Sequence, residues 1–565
     1  MKQICQEILQ EAEIKNVKTR KELDSIKSLI CKKYKLKSTP KIIHLFLSAD
    51  QNQREKLKSI LITKPIRTLS GVAPIAIMTK PIACRHGRCT FCCGGPNSYF
   101  GDVTQSYTGN EPTSMRAIRN NYDPYLQVFN RLEHYTLLGQ NPDKTELIVM
   151  GGTFPSFELT YQDYFITYAL KAMNDFSDLF YKGSQIDFNK FKEFFELPII
   201  NLKDPERTKR IHKKLLLLKK ESTLEQEKLR NETSKIRCVV MNIETKPDWC
   251  FESEINQMLK LGATRVEVGI QTLHDRILKI TNRGHTLNDS IKASQLLKDS
   301  FLKCCMHMMP GLPETTKEMD IYNFKELFEN PNYRPDALKI YPTLVMPGTP
   351  LYEQYKKGQF NPLNTLEAAE LLIDLKKYVP VYCRIMRVLR DIPTKYTIDG
   401  VDITNFRQLV HTLMEKKGIK CKCIRCREPK NKSIDYDNIK LLRKNYRSSG
   451  GQEIFLSYED IKNNILLGFI RLRKPFKPFR KEITENSMGI REIHIYGKSI
   501  PIGKKLKNEV QHRGLGKGLI LEAEKIAIED FDARKILVIS GVGVREYFAK
   551  LGYNIDGCYV SKGLS

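Results

Sequence analysis

A chain of 565 residues is longer than one hydrophobic core organises, and at ~150 residues per domain two to four domains are expected. Its 41% apolar content and unrepetitive texture exclude a disordered or fibrous protein, and no apolar run approaches the ~18 residues of a membrane helix, so no membrane partner is expected. Lys and Arg number 93 against 65 Asp and Glu, a formal charge of +28 that points to a polyanion, most simply nucleic acid, held in a salt-dependent way; a solvated lysine-rich surface is the other reading of the same balance.

The first residues carry no apolar core of signal-peptide length, and the 15 scattered cysteines fit a reducing compartment, so a cytoplasmic location is expected. Residues 1–70 hold 16 basic and 7 acidic side chains with apolar residues at helical spacing (Ile8, Leu9, Ile14; Ile26, Leu29, Ile30), which predicts a small basic helical region. Lys32, Lys33, Lys35 and Lys37, with Lys56, Lys58, Lys64 and Arg67, are candidate phosphate contacts; a plain charged solvent face explains them equally.

Next comes Cys84-Arg-His-Gly-Arg-Cys89-Thr-Phe-Cys92-Cys93-Gly94-Gly95. Three thiolates in a C-x4-C-x2-C spacing can hold an iron–sulfur cube by three irons and leave the fourth open. The pattern reads as a radical S-adenosylmethionine (SAM) site, with a 4Fe-4S cluster on Cys84, Cys89 and Cys92 and SAM on the open iron, cleaved by one electron to a 5′-deoxyadenosyl radical. A zinc knuckle or incidental thiols stay open on these residues alone. Cys93 reads as a non-ligand because adjacent cysteines rarely both reach one cube, and Gly94-Gly95 would let the backbone pass close to a ligand.

From residue 74 short β-rich runs alternate with helical stretches. Residues 74–78, 146–150, 236–243, 265–270, 303–309 and 337–341 are six candidate strands, implying βα units and a parallel sheet. Unusual residues follow the strand ends: the cysteines, Gly151-Gly152-Thr153, Glu244-Thr245, Gln271 and Pro310-Gly-Leu-Pro313. Sites of barrel enzymes gather at that end, so a (β/α)6 partial barrel over 71–395 with the cluster at its mouth is expected. Gly151 and Gly152 can meet the SAM amino group or be a plain turn. Glu267 and Gln271 point to one face of their strand, candidates for SAM binding or, for Glu267, a structural ion pair. Residues 202–235 read as an exposed Lys/Glu-rich helix or hairpin, and 384–393 as a basic, strand-like exit.

Cys421, Cys423 and Cys426, within a linker taken as 396–430, suit a tetrahedral zinc that needs one further ligand, for which His411 is the nearest upstream candidate; free thiols are the other reading. Such a knob would pin the flanking domains together. Residues 431–565 read as a separate α/β domain in which Gln511-His-Arg-Gly514-Leu515-Gly516-Lys517-Gly518 opens a helix and presents N–H groups to a pyrophosphate. Glycine-rich turns of this kind are common, but with the strand 492–496 before it and Tyr547-Phe548-Ala-Lys-Leu-Gly552-Tyr553 after, the stretch resembles the acetyl-CoA signature of GNAT acetyltransferases, a resemblance which implies that Tyr547 protonates the CoA thiolate.

Further motifs include Ser106-Tyr-Thr-Gly-Asn-Glu-Pro-Thr-Ser-Met-Arg-Ala-Ile-Arg119, Tyr122-Asp-Pro-Tyr125, Arg283-Gly-His285, Leu338-Lys-Ile-Tyr-Pro-Thr343 and Ile539-Ser-Gly-Val-Gly543. Together with those above, over nearly all of 60–565, they resemble the family of Elongator catalytic subunits, radical SAM and acetyltransferase enzymes that modify wobble uridine in tRNA. The resemblance implies that Cys84, Cys89 and Cys92 bind the cluster, and that Lys144, Glu492, Ile493, His494, Ile495, Leu515, Gly516 and Lys517 contact acetyl-CoA. It further implies a tRNA anticodon stem-loop as partner, and a homodimer or other Elongator subunits as possible company. The chain departs from the family pattern at Arg85 and Cys93, where proline is usual, and at Phe548, where a second tyrosine is usual. The implied activity is carboxymethylation of uridine carbon-5; a protein lysine acetyltransferase with a structural cluster and a non-catalytic tRNA-binding scaffold are the alternatives.

Overall fold

Seven strands form one parallel sheet in the order they occur along the chain: β1 (Ala73–Met78), β2 (Lys144–Met150), β3 (Arg237–Thr245), β4 (Arg265–Gln271), β5 (Lys303–Met308), β6 (Ala337–Ile340) and β7 (Arg384–Arg387). This computed structural model describes residues 2–63, 71–183, 185–198, 204–430, 432–497 and 514–564. Sequential order with every pair parallel is the open half-barrel that repeated βα crossovers generate. Covered on both sides, the central strands read as near-continuous buried runs; all seven residues of β4 are buried. The six strands expected from sequence are all present, and the basic exit at 384–393 begins with a seventh, pairing on β6 through Ala337↔Arg384 and Leu338↔Ile385.

Helices start where hydroxyl and amide side chains can accept the first free N–H groups: Thr286 with Asp289 and Asn364 with Glu367 form reciprocal capping boxes at α1 (Leu287–Asp299) and α3 (Thr365–Lys376), and the Thr316 hydroxyl caps α2 (Lys317–Glu329). The stretch 204–233 is two helices, Pro205–Leu218 and Leu224–Thr233. At the N-terminus, helices Lys2–Ile14 and Arg20–Lys33 pack their apolar faces into a small core of their own. They leave Lys32, Lys35, Lys37 and Lys58 exposed, while Lys33 and Lys56 pair with Glu7 and Glu13. Lys64 and Arg67 lie outside the described residues.

A second sheet has the order β8-β9-β10-β11-β12-β14-β13, with β8 (Ile439–Ser448), β9 (Gly451–Asp460), β10 (Ile465–Lys474), β11 (Ser487–Ile495), β12 (Lys535–Val538), β13 (Asn554–Asp556) and β14 (Tyr559–Gly563). It is antiparallel except for the β11–β12 pair, whose crossover contains α4 (Leu515–Phe531).

The second sheet docks on the N-terminal end of the barrel through buried charge. Arg473 reaches Asp299 at 2.6 Å and Glu453 at 2.8 Å, Arg491 reaches Asp336 at 2.6 Å and Glu453 at 2.9 Å, and Arg471 reaches the Tyr382 carbonyl at 2.6 Å and Asp336 at 3.6 Å. Asp299 closes α1 and Asp336 precedes β6, so both acids stand at the barrel's bottom rim. Three fully buried guanidiniums held in this way fix the relative position of the sheets geometrically, since charge transferred from water is tolerated only where each partner is matched.

Candidate active sites at the barrel mouth and the splayed strand

The loop after β1 brings Cys84, Cys89 and Cys92 into one neighbourhood at the C-terminal mouth. Gln105 Nε2 donates to Cys92 Sγ at 2.9 Å, Arg283 Nη1 donates to Cys89 Sγ at 3.3 Å, and His86 Nε2 lies 3.3 Å from the same sulfur. Ser106 Oγ is 3.4 Å from Cys92 Sγ. Arg283 is anchored by a second bond, Nη2 to the Gly269 carbonyl at 2.7 Å, and the Thr153 hydroxyl bonds the Cys84 thiol. Burial pushes Cys84 up to about 11, with the neighbouring cysteines adding to the shift. The donors around the three sulfurs would serve bound thiolates. These residues therefore fit a 4Fe-4S cluster.

Cys93 is wholly buried, its Sγ contacts the Ser106 carbonyl at 3.7 Å, and burial pushes it to about 12. The reason for Gly94 is not ligand approach alone, because a Cβ there would sit 2.0 Å from the Tyr107 carbonyl. The close crossing holds Gln105 and Ser106 against Cys92.

Gly151 and Gly152 follow β2 at the mouth; Gly152, at φ +83°, lies beside Gln105 and about 4.0 Å from Cys84 Sγ as measured from a Cβ position. Thr153 thus touches the cluster loop. Gln271, at φ +74°, ends β4 beside Arg283, and its buried Oε1 is left without a hydrogen-bond partner, as a ligand-facing amide would be. Glu267 does not belong with it. Its carboxylate pairs with Lys339, with His307 at 2.9 Å and with Arg265 at 3.4 Å, deeper in the lumen, so the structural ion pair and not SAM binding accounts for it. Cys305 and His307 lie within 4.8 Å of Glu267, but Lys339 and Arg265 already neutralise that carboxylate.

In the second sheet the β11–β12 ladder runs from Ser487↔Lys535 to Ile490↔Val538, whereas the β10–β11 ladder continues to Gly468↔Ile495. Beyond Ile490 the two central strands therefore diverge. At the opening three elements converge: a Cβ on Gly516, in the first turn of α4, would lie 3.3 Å from Tyr547 Oη and 3.7 Å from Ile495 Cγ1. Gly514 starts the helix in the left-handed conformation at φ +83°, with Leu515 and Lys517 in the same first turn. Tyr547 stays 41% exposed, and burial of its inner face raises the phenol pKa. Gln511 lies outside the described residues.

The side chains of two expected acetyl-CoA contacts, Glu492 and His494, are engaged within the protein, and so is Phe548, the site of the departure from the family pattern. Phe548 is 2% exposed, packed edge-on to Tyr547 at 5.3 Å and Tyr553 at 5.6 Å, in the core. Glu492 turns its carboxylate to Lys303 and Arg471, which hold it down at about 2 against the opposing effect of burial. The His494 ring stacks between Phe469 and Tyr496. Ile493 packs on the second core. Lys144 begins β2 beside Arg237, whose guanidinium pairs at 2.8 Å with Glu546, the neighbour of Tyr547. Lys144 is therefore at the Tyr547 end of the barrel. Glu244, at the mouth, is seven residues further along β3, so the two sites are separated by roughly 20 Å at 3.3 Å per residue.

The sulfurs of Cys421, Cys423 and Cys426 lie within 4.8 Å of one another, a spacing suited to one tetrahedral metal. His411 is exposed on its helix (Phe406–Lys416), and the structure does not gather it with the three sulfurs at that spacing. The loop ties both halves: Ile424 N–H donates to the Cys383 carbonyl at 3.0 Å, and Arg427 donates to Glu459 of β9 at 2.6 Å.

Gln105, which no motif singled out, and Arg283 touch the cluster thiols, and Tyr107, Glu244 and Lys339 meet in the lumen. Each lies in or beside a motif legible in the sequence, but only the tertiary fold joins them.

A parallel half-barrel with three thiols on its first strand-end loop is the architecture of a radical SAM protein, and the models agree: the Radical SAM superfamily matches residues 82–324 and the Radical_SAM C-terminal domain 335–416. The ELP3 N-terminal domain matches residues 1–69. The tRNA uridine(34) acetyltransferase of Methanocaldococcus jannaschii is 46% identical over 100% of this chain and 98% of its own length, and Elongator complex protein 3 of Saccharomyces cerevisiae is 40% identical over 94% and 90%. The structure of archaeal Methanocaldococcus infernus Elp3 with an N-terminal deletion superposes with a TM-score of 0.71 at 44% identity, covering 88% of this chain and all of that one. The chain belongs to the Elp3 family, the catalytic subunits of Elongator. Among the described residues no helix is long and apolar enough to cross a membrane.

Proposed function

We propose that this protein is an acyltransferase acting on tRNA, which attaches a carboxymethyl group derived from acetyl-CoA to carbon-5 of the wobble uridine. The carrying observation is that one chain holds two separate sites, three hydrogen-bonded thiols at the barrel mouth and the meeting of Ile495, Gly516 and Tyr547 at a splayed strand. The names of the relatives, a tRNA uridine(34) acetyltransferase and Elongator complex protein 3, support the substrate.

When bound, a 4Fe-4S cluster with SAM supplies a one-electron radical initiator, and acetyl-CoA supplies the two-carbon unit. Cys84, Cys89 and Cys92 would hold the cluster, with Gln105, Arg283, His86 and Ser106 bonding the thiolates. Gly151, Gly152 and Gln271 would line the SAM site. The diverging strand in this GNAT-type domain would offer peptide groups to pantetheine, the first turn of α4 would receive the pyrophosphate, and the Tyr547 hydroxyl would hold the proton needed by a departing thiolate. Cys421, Cys423 and Cys426 would bind zinc, locking the junction. Exposed lysines of the N-terminal helices would grip the anticodon stem-loop by its phosphates. A cytoplasmic setting and company from other Elongator subunits or a second copy belong to the same reading.

The test is anaerobic reconstitution with dithionite, SAM, acetyl-CoA and tRNA, following 5′-deoxyadenosine and modified uridine, with Cys89→Ala as control. Product that requires both tRNA and acetyl-CoA and vanishes in the variant is expected. Intact tRNA binding with no SAM cleavage by a loaded cluster would leave a scaffold. Lysine peptides acetylated without SAM would point to the protein acetyltransferase instead.

A further inference from the structure

At the mouth, Glu244 near the end of β3 sits between two hydrogen donors. Tyr107 Oη lies 3.2 Å from Glu244 Oε2, and Lys339 Nζ lies 3.3 Å from Glu244 Oε1. The three come from separate elements: the loop after the cluster, β3 and β6. Glu244 and Lys339 are buried, while Tyr107 is half-buried. Tyr107 is chained to the thiol site, since its neighbour Ser106 lies against Cys92 and accepts a hydrogen bond from Arg390, whose guanidinium stands 5.9 Å from the Tyr107 ring. His307 and Tyr341, both partly exposed, meet edge to face beside Lys339 with ring centroids 5.7 Å apart.

We infer that Tyr107, Glu244 and Lys339 form a donor–acceptor–donor array that selects uracil over cytosine, an assignment that rests on the function proposed above. Uracil presents a carbonyl, an imide N–H and a second carbonyl along its pairing edge, the complement of that order. A base entering the mouth would donate its N–H to the Glu244 carboxylate. The Tyr107 hydroxyl, now occupied by Glu244, would turn to one carbonyl, and the Lys339 ammonium, with one N–H beyond those given to Glu244 and Glu267, would meet the other. Cytosine places a lone pair against the carboxylate and an amino group against a donor, so two of three contacts become repulsive. A buried polar array rejects a mismatched edge because its own groups would be left unpaired.

The structural explanation, that Glu244 merely neutralises Lys339, does not account for Tyr107. Lys339 is already neutralised by Glu267, so the carboxylate of Glu244 and the phenol beside it are additional polar groups in the lumen.

The experiment presents the reconstituted holoenzyme with two anticodon stem-loops that differ only in U34 or C34, and reads the ratio of base-modified products with SAM and acetyl-CoA saturating. The native protein is expected to prefer U34 by at least ~10-fold, the discrimination of one good base-edge contact. Glu244→Gln, whose amide can face either base, should bring the ratio toward unity. Tyr107→Phe keeps the buried Glu244–Lys339 pair and so the fold, and should lower the ratio as well. Retention of the native ratio in Tyr107→Phe and in any folded Glu244→Gln overturns the assignment. RNA-dependent product formed equally on both stem-loops by the native protein also overturns it and leaves the proposed function standing, whereas absence of RNA-dependent product refutes both.

Discussion

Gln105 Nε2 donates to Cys92 Sγ at 2.9 Å, and the backbone that carries Gln105 is pressed there by the close crossing at Gly94. A donor on a ligating sulfur spreads its charge and steadies its orientation. Gln105→Leu keeps the volume but removes the N–H. The reconstituted variant should release iron to a chelator about 10-fold faster under anaerobic conditions, the usual scale for such outer partners. Equal release rates would show that this bond does not support the cluster.

Gly516→Ala tests the splayed site. The added methyl would stand 3.3 Å from Tyr547 Oη, tighter than ordinary contact, in the first turn of a helix where alanine is otherwise favoured by ~1 kcal/mol. Acetyl-CoA affinity measured by calorimetry should fall by about 10-fold or more if α4 receives the pyrophosphate, the loss of a charge-assisted contact of ~1.5 kcal/mol. The thermal midpoint should hold or rise. Unchanged affinity would move the ligand elsewhere.

The barrel was legible because each parallel strand is a short apolar run followed by a conspicuous turn, a local pattern with period and punctuation. Even the seventh strand was half visible as the extended 384–393 segment. What sequence could not supply was partnership across the fold. Glu267 and Gln271 share a strand face, yet Lys339, Arg265 and His307 claim the first while the second reaches the mouth. Likewise Glu492 and Phe548 occupy motif positions, but the long-range neighbours Lys303 and Tyr553 decide what their side chains do.

Arg473→Met tests the junction between the sheets. Asp299 also accepts the backbone N–H groups of Phe476 at 3.0 Å and Lys477 at 2.9 Å, so removing Arg473 leaves a buried carboxylate only partly compensated, beside Glu453. Breaking one side of a buried pair costs about 3–5 kcal/mol. Denaturant unfolding should lose that amount, with the second sheet melting before the barrel. A loss within ~0.5 kcal/mol would mean that the network is dispensable for stability.

Asp320 gives a pH dependence whose sign is fixed. The carboxyl is 4% exposed on α2 and accepts the Gly311 N–H at 2.8 Å, holding the Pro310-Gly311 turn that follows β5 at the mouth. Burial raises it from 3.8 to about 7, with the Gly311 bond opposing. In the folded protein the group therefore keeps its proton over a range where the unfolded chain has lost it. Its contribution is most favourable below pH 4, declines as pH rises toward 7 and is constant above. Asp320→Asn retains an acceptor for Gly311 and cannot ionise. The stability of the native protein relative to this variant should thus fall by up to ~4 kcal/mol between pH 4 and pH 7.5, at 1.36 kcal/mol per unit. Paired urea titrations across that range measure it. Parallel pH profiles for the two proteins would show that Asp320 ionises normally and that water reaches it behind the turn.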